Sequence, residues 1–336
     1  MKILVVKLSA FGDLIHTLPA LDDLLARPEV DEVHWLVDER FAFATEVFPP
    51  QVKVHSVALK GDAPLHAAWQ MIRKLRREHF DAVLDLQGLI KSGLIARAIA
   101  RPVYGFDRRF SPEWPNRLLV SCVSFDPADR HVVQKYRRIA AAPFADRRDP
   151  VPYAPPHIQK NEAIQQAGAA MLAELQLQPQ GYTVMHIGGG WQTKQLPFGT
   201  WREVIGAIQA EGSTCLLSWG NDAEQQKANE LAGVTGATVL PRRLAMMPLC
   251  GLLLHARTVI GTDTGLLHLA AALAAPTVTY WGPSASWNSA PLGEYDVQVE
   301  SNPECGPCFK RECNEFVCLP ALKAEAIVQA WREVKI

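Results

Sequence analysis

The stretch Ile3-Leu4-Val5-Val6-Lys7-Leu8-Ser9-Ala10-Phe11-Gly12-Asp13-Leu14-Ile15-His16 decides the fold class. Its apolar run suits a strand buried on both faces of a parallel sheet. A Gly-Asp turn follows, and apolar residues then recur with helical spacing from Leu14 to about Leu25. The same rhythm continues through the first half, with strands expected at 33–37, 52–58 and 82–86 and helices at 65–78 and 89–99. This is βα alternation. Residues 101–130, rich in Arg, Pro and Asp, show little periodicity and read as long loops with a short helix.

After a helical stretch at 131–142, the run from Asp146 to Pro156 carries four prolines and reads as a linker, because proline cannot continue a helix. A second alternation follows, with strands near 182–187, 214–219, 237–240, 258–260 and 277–281. Its helices are expected near 157–175, 199–210, 222–232, 243–256 and 265–275. An amphipathic helix from about Leu322 to Val334 closes the chain. The expected organisation is α/β, with an N-terminal domain at 1–150, a C-terminal domain at 157–320 and the closing helix at 321–336. A chain of 336 residues is long enough to bury two cores.

With 34 basic and 35 acidic residues the formal net charge is -1, so no global field draws the chain to nucleic acid, and no such partner is expected. The basic residues cluster, however: Arg73, Lys74, Arg76 and Arg77, then Arg108 and Arg109, then Lys135, Arg137 and Arg138. Each cluster alone reads as a solvated face, and the three together leave room for an anionic partner. No secretory signal and no apolar run of about 20 residues is evident, so the expected location is cytoplasmic, with contact at a membrane surface open. Seven cysteines in a reducing compartment do not read as a disulfide framework.

Open parallel sheets bind ligands beyond the carboxyl ends of their strands, so chemistry is sought just after each strand. Asp13 follows the first strand. It reads either as a first-turn acid on free helix N–H groups or as a carboxylate able to take a proton from a hydroxyl nucleophile. The G-x-G-x-x-G pattern of a dinucleotide fingerprint is missing. After the strand ending at Ile187 come Gly188-Gly189-Gly190 and then Lys194, a bend for close backbone approach and a cation for phosphate. Gly261-Thr262-Asp263-Thr264-Gly265-Leu266-Leu267-His268 ends a strand and opens a helix, whose unpaired N–H groups suit a phosphate. Asp263 caps that helix or accepts bonds from sugar hydroxyls, and His268 supports it or packs in the core. Glu224 follows another strand and suits a ribose, or is an ordinary helix-start acid. Cys305, Cys308, Cys313 and Cys318 have spacings able to hold a structural zinc or an iron-sulfur centre, or are reduced thiols or occasional disulfides that stabilise a loop.

Together, Lys7 to Ala20, Asp85-Leu86-Gln87-Gly88-Leu89-Ile90-Lys91-Ser92 and Gly261 to Leu269 resemble the lipopolysaccharide heptosyltransferase family over nearly the full chain. The resemblance implies two Rossmann-like domains in a GT-B arrangement with a central cleft, the N-terminal one receiving the acceptor and the C-terminal one the donor. It implies inverting transfer from ADP-heptose to the Kdo-lipid A inner core at the cytoplasmic face of the inner membrane, with no cofactor required for catalysis. It makes Asp13 the general base, with Lys194 at the donor phosphates and Glu224 at the ribose. Thr262, Asp263, Thr264 and Gly265 lie around heptose and diphosphate, with His268 as support. Gly12, Lys91, Arg108 and Arg109 are the acceptor-side candidates. The Asp85–Ser92 motif looks more like enzymes that add the first heptose, while the cysteine motif is seen in relatives adding the second. Rival readings are an epimerase or hydrolase of nucleotide sugars and a noncatalytic sugar-nucleotide-binding protein.

Overall fold

In the computed structural model, which describes residues 1–107, 109–144 and 151–335, the alternation builds two separate parallel sheets. Contacts divide the chain into unit 1, Met1–Pro156, and unit 2, His157–Ile336. Unit 1 runs β1 (Lys2–Val6), α1 (Phe11–His16), α2 (Leu18–Leu25), β2 (Glu32–Asp38), β3 (Lys53–Val57), α3 (Pro64–Arg76), β4 (Ala82–Asp85), α4 (Ile90–Ile99), β5 (Val103–Phe106), β6 (Ser121–Val123) and α5 (Val132–Ala141). Unit 2 runs α6 (Glu162–Leu175), β7 (Tyr182–His186), α7 (Phe198–Ala210), β8 (Thr214–Ser218), α8 (Asp222–Thr235), β9 (Thr238–Val239), α9 (Met246–Leu254), β10 (Thr258–Thr262), α10 (Gly265–Ala272), β11 (Thr277–Trp281), α11 (Ser286–Ser289), β12 (Asp296–Glu300) and α12 (Ala324–Glu333).

The sheet orders are β3-β2-β1-β4-β5-β6 and β12-β11-β10-β7-β8-β9, which are the same doubly wound topology when each unit is counted from its own first strand. In each sheet the first strand is central. β1 pairs with β2 and β4, Val5 standing opposite both Trp35 and Leu84, and β7 pairs with β8 and β10. Central strands have helices on both faces, which is why Ile3, Leu4, Val5 and Val6 are all fully buried. On one face of the first sheet, Leu75 of α3 and Ile95, Ala96 and Ile99 of α4 pack over Leu4, Val6, Val57 and Val83.

Three expectations change. The segment from Leu14 to Leu25 is two helices, because the chain turns at Thr17, whose Oγ1 donates to the Leu14 carbonyl, and Pro19 opens α2 without an N–H. Gly12 accordingly lies inside α1, not in a turn before it. The region 101–130 carries β5, β6 and a 3-10 turn at Trp114–Leu118; strands of four and three residues are too short to show a period. β12 was likewise unread. The closing helix α12 packs within unit 2, with Trp331 fully buried beside Trp201 and Tyr280 in one core and its Nε1 donating to Thr183 Oγ1 at 2.9 Å. Residues 145–150, the first part of the expected linker, lie outside the described residues. No helix among the described residues is long and apolar enough to cross a membrane.

Helices α6 and α9 cross through Gly168 and Gly251, and a Cβ on Gly251 meets the Gly168 backbone at 2.4 Å. Gly251→Ala is therefore expected to destabilise the protein by about 1–3 kcal/mol, through overpacking against backbone that cannot swing away. Gly233→Ala, in α8 with nothing within 4 Å of its Cβ, should stabilise by about 0.5–1 kcal/mol. Urea unfolding of the two variants checks both signs. A second test concerns His55, whose ring nitrogen lies 3.0 Å from His34 and whose pKa is lowered to about 4, by burial first and then by the charges of Lys74 and His34. Below about pH 6.5 the unfolded chain takes up a proton that the folded one refuses. Stability should fall from pH 6.5 toward 4, and His55→Asn should flatten that slope in the unfolding midpoint.

Candidate active site

In a doubly wound sheet the loops after the two central strands diverge, one winding each way, and leave a crevice between them. In unit 1 these are the loops after β1 and β4. The motif Asp85–Ser92 turns out to be the brace of this crevice. Asp85, fully buried at the end of β4, accepts from the N–H groups of Gln87 and Gly88 through Oδ1, and from Ser92 Oγ and Asn116 Nδ2 through Oδ2. Burial raises its pKa despite those bonds. Gln87 then reaches across, its Oε1 accepting from both Leu8 N and Ser9 N at 3.0 Å, and so holds the β1–α1 loop from which Asp13 projects.

Asp13 sits in the first turn of α1 with its side chain 41% exposed. Its Oδ2 accepts from the Ala10 N–H at 3.2 Å and from Lys7 Nζ at 3.3 Å. The helix-start reading is thus correct for one oxygen, and no described residue bonds to the other. Lys7 is the partner that sequence reading missed. It is almost completely buried, and its Nζ lies 5.1 Å from the centre of the Tyr136 ring, on α5. Burial alone pulls the lysine's pKa down, and the Asp13 carboxylate with Tyr136 outweighs that penalty, so the ammonium stays above its ordinary value. Tyr136 is pushed up to about 12 by burial and by the charge of Asp13. The signal was present in the sequence: Lys7 is the charged end of an otherwise apolar buried strand run.

Of the acceptor-side candidates, Gly12 directly precedes Asp13 in α1, while Lys91 and Arg109 bond elsewhere. Lys91 Nζ donates to the Leu59 carbonyl, and the Arg109 N–H bonds to Asp107. Arg108 lies outside the described residues.

In unit 2 the corresponding loops follow β7 and β10, and the structure brings Lys194, Asp263 and His268 together. Lys194 Nζ donates to Asp263 Oδ2 at 2.6 Å and to the Asp263 carbonyl at 3.1 Å, while His268 Nε2 lies 3.0 Å from Asp263 Oδ1. Burial pushes the Asp263 pKa up, but the His268 hydrogen bond and the Lys194 charge hold its carboxyl well below the usual range. Lys194 is therefore not a mobile cation: it is buried in a 3-10 turn, with two of its three donors used by Asp263 and its ammonium over the Trp191 ring. Thr262 is buried at the end of β10, Thr264 Oγ1 donates to the Thr262 carbonyl, and Gly265 opens α10, whose first turn offers backbone N–H groups.

Each glycine of the 188–190 run has its own cause. A Cβ on Gly188 would lie 2.4 Å from the Glu224 carboxylate, one on Gly189 would meet Lys194, and Gly190 has φ +67°, a left-handed backbone. Glu224 is buried, accepts from Gly220 N at 2.7 Å, and raises the pKa of His186 against the larger lowering effect of burial.

The cysteine loop, remote in sequence, fastens to this same turn. Thr193 Oγ1 donates to the Lys310 carbonyl at 2.6 Å, and the Trp191 ring has Lys194 at 4.3 Å and Arg311 at 5.3 Å from its centre. Cys305, Cys308, Cys313 and Cys318 are free thiols, and no three of their sulfurs come within 4.8 Å of one another, so their arrangement does not fit a zinc or iron-sulfur centre. Among the described residues only Glu32, His34 and Glu78 group that closely, and Lys2 Nζ already lies 3.3 Å from both glutamates.

Residues 68–317 match glycosyltransferase family 9 (heptosyltransferase). Lipopolysaccharide heptosyltransferase 1 of Pseudomonas aeruginosa is 33% identical over 93% of this chain and 87% of its own. The protein of the same name from Escherichia coli K12 is 31% identical over 84% of this chain and 88% of its own. The solved structure of E. coli heptosyltransferase WaaC with ADP-2-deoxy-2-fluoro heptose superimposes with a TM-score of 0.73 at 28% identity, covering 99% of both chains.

Two substitutions test the geometry without reference to turnover. Gly188→Ala should displace Glu224 and cost about 1–3 kcal/mol. Lys7→Met should lower the melting temperature, since the pairing with Asp13 outweighs the desolvation of the ammonium and the substitution removes it. Calorimetric melting reads both.

Proposed function

The chain belongs to glycosyltransferase family 9, the heptosyltransferases, and we propose that it transfers heptose from ADP-heptose to the Kdo-lipid A inner core of lipopolysaccharide, adding the first heptose. Likeness to two relatives named heptosyltransferase 1, at 33% and 31% identity, supports the first over the second transfer. The observation that carries the chemistry is the carboxylate of Asp13, held at the crevice of the first sheet by Lys7 with one oxygen left without a protein partner.

In this reading Asp13 accepts the proton of the acceptor hydroxyl as that oxygen attacks the anomeric carbon, inverting it. A carboxylate is a weak base toward an alcohol, so the proton moves late, once the attacking oxygen has become acidic through bond formation. Lys7 orients the base, and its charge also steadies the approach of an anionic acceptor. At the other substrate, Lys194 and the first N–H groups of α10 meet the diphosphate. They stabilise the charge that grows on the ADP leaving group. Glu224 takes the ribose hydroxyls. Asp263, kept ionised by Lys194 and His268, accepts from heptose hydroxyls, with Thr262, Thr264 and Gly265 shaping the backbone around it. A lipid-bearing acceptor puts the reaction at the cytoplasmic face of the inner membrane.

The decisive assay measures ADP release from ADP-heptose with a Kdo-bearing acceptor. Asp13→Asn should lower kcat by about 10²-fold or more while leaving ADP affinity unchanged. Lys7→Met should lower kcat by about tenfold or more, and Lys7→Arg, which keeps the ion pair, should recover most of it. Equal turnover by Asp13→Asn would remove the base from the mechanism. ADP-heptose consumption that does not need the acceptor would point instead to a hydrolase or epimerase.

A further inference from the structure

Helix α3 packs inward through Ala67, Ala68, Met71, Ile72 and Leu75. Its outward side is unusual for a helix on a water-soluble surface. Leu65 is 85% exposed and Trp69 52% exposed. At 3.6 residues per turn, Leu65, Trp69, Arg73 and Arg76 fall within a stripe of about 80°, and Arg73 lies over the Trp69 ring at 4.6 Å. The stripe is thus apolar at its start and cationic at its end. Arg77 flanks it and Lys74 lies on the far side of the helix, and none of these four cations forms an ion pair with a carboxylate among the described residues. Glu78, the acid that follows, is turned to Lys2; the helix itself carries no acid, and Asp62 precedes it.

The pattern extends to the neighbouring elements. Helix α4 packs beside α3 on the same face of the sheet, and it presents Leu94, 55% exposed, and Arg97. Arg97 Nη1 reaches the Leu119 carbonyl, next to Leu118, which is 68% exposed. Apolar side chains therefore stand out singly among arginines on two neighbouring helices.

We propose that the exposed side of α3 and α4 is a docking surface for a bilayer of anionic phospholipid. Three features select that occupant. The cations lack acids of their own, which fits a sheet of phosphate charge. Leu65 and Trp69 are side chains that insert at the headgroup level, Trp with its amphipathic ring most of all. The long arginine stems can lie along the apolar boundary while their guanidinium groups stay at the phosphates. None of Leu65, Trp69, Arg73 and Arg76 is among the residues assigned to the transfer reaction, so the inference does not depend on the identity of the sugar or acceptor.

The test is flotation of the full chain with vesicles of phosphatidylcholine alone and of phosphatidylcholine with phosphatidylglycerol. The expected result is binding only to the anionic vesicles, weakened about tenfold or more between 0.1 and 0.5 M salt as exposed charges are screened. The double variant Leu65→Gln with Trp69→Gln and the double variant Arg73→Gln with Arg76→Gln should each lose at least about tenfold in partitioning, with unchanged melting because all four side chains are exposed. Failure of the parent protein to bind anionic vesicles, or equal binding by both double variants, overturns the proposal. So does a dimer in sedimentation equilibrium that the Leu65→Gln, Trp69→Gln pair dissociates, since a second copy would then be the occupant. ADP release with a deacylated, water-soluble acceptor should be equal in parent and variants. If the transferase reading fails, neither protein turns over and the vesicle result still stands.

Discussion

A buried lysine paired with one aspartate stands at the crevice of each sheet, and much of the local architecture serves those two pairs. Lys7 meets Asp13 in unit 1, and Lys194 meets Asp263 in unit 2. A buried ammonium is costly unless something holds its charge, so the surrounding backbone must deliver the partner carboxylate with little freedom. In unit 1 that delivery runs from Asp85 to Gln87 to the β1–α1 loop. In unit 2 it runs through the three glycines and the 3-10 turn that carries Lys194.

The pairs differ in a way that matches their proposed tasks. Asp13 keeps one oxygen free and is 41% exposed, as a group that must receive a proton should be. Asp263 is bonded on both oxygens and is 16% exposed, as a group that must stay charged and still should be. The doubly wound order explains why both occur where they do: the reversal of winding at β1/β4 and at β7/β10 opens space above the central strands, and the residues just after those strands face it. The cysteine loop adds support to the second site from a distance of over a hundred residues, through Thr193 and the ring of Trp191.

Much of this was legible beforehand. Continuous apolar runs such as Ile3–Val6 announced buried parallel strands, proline-rich residues near 150 announced a boundary, and the strand-end rule led directly to Asp13, Lys194, Glu224 and Asp263. Short strands were less legible: β5 and β6 show no usable period, whereas in β12 Val297 and Val299 alternate with polar residues over only five positions. Nor were the reasons for the glycines, since Gly188 answers to a carboxylate 36 positions away. Gly12 misled, because a glycine before an acid resembles a turn until the helix is seen to start at Phe11.

The sequence by itself determined the two parallel α/β units and the loops that carry chemistry, because hydrophobic periodicity and turn residues are properties of neighbouring positions along the chain. Only the tertiary structure decided that Lys7 holds Asp13 through one oxygen, that Lys194 is buried and already paired, that the cysteine loop braces Trp191 instead of closing on a metal, and that Leu65 and Trp69 share an open face with arginines. Those facts depend on which strands are central and which side chains lose water together. Burial and long-range packing set both, and neither is written in any single stretch of residues.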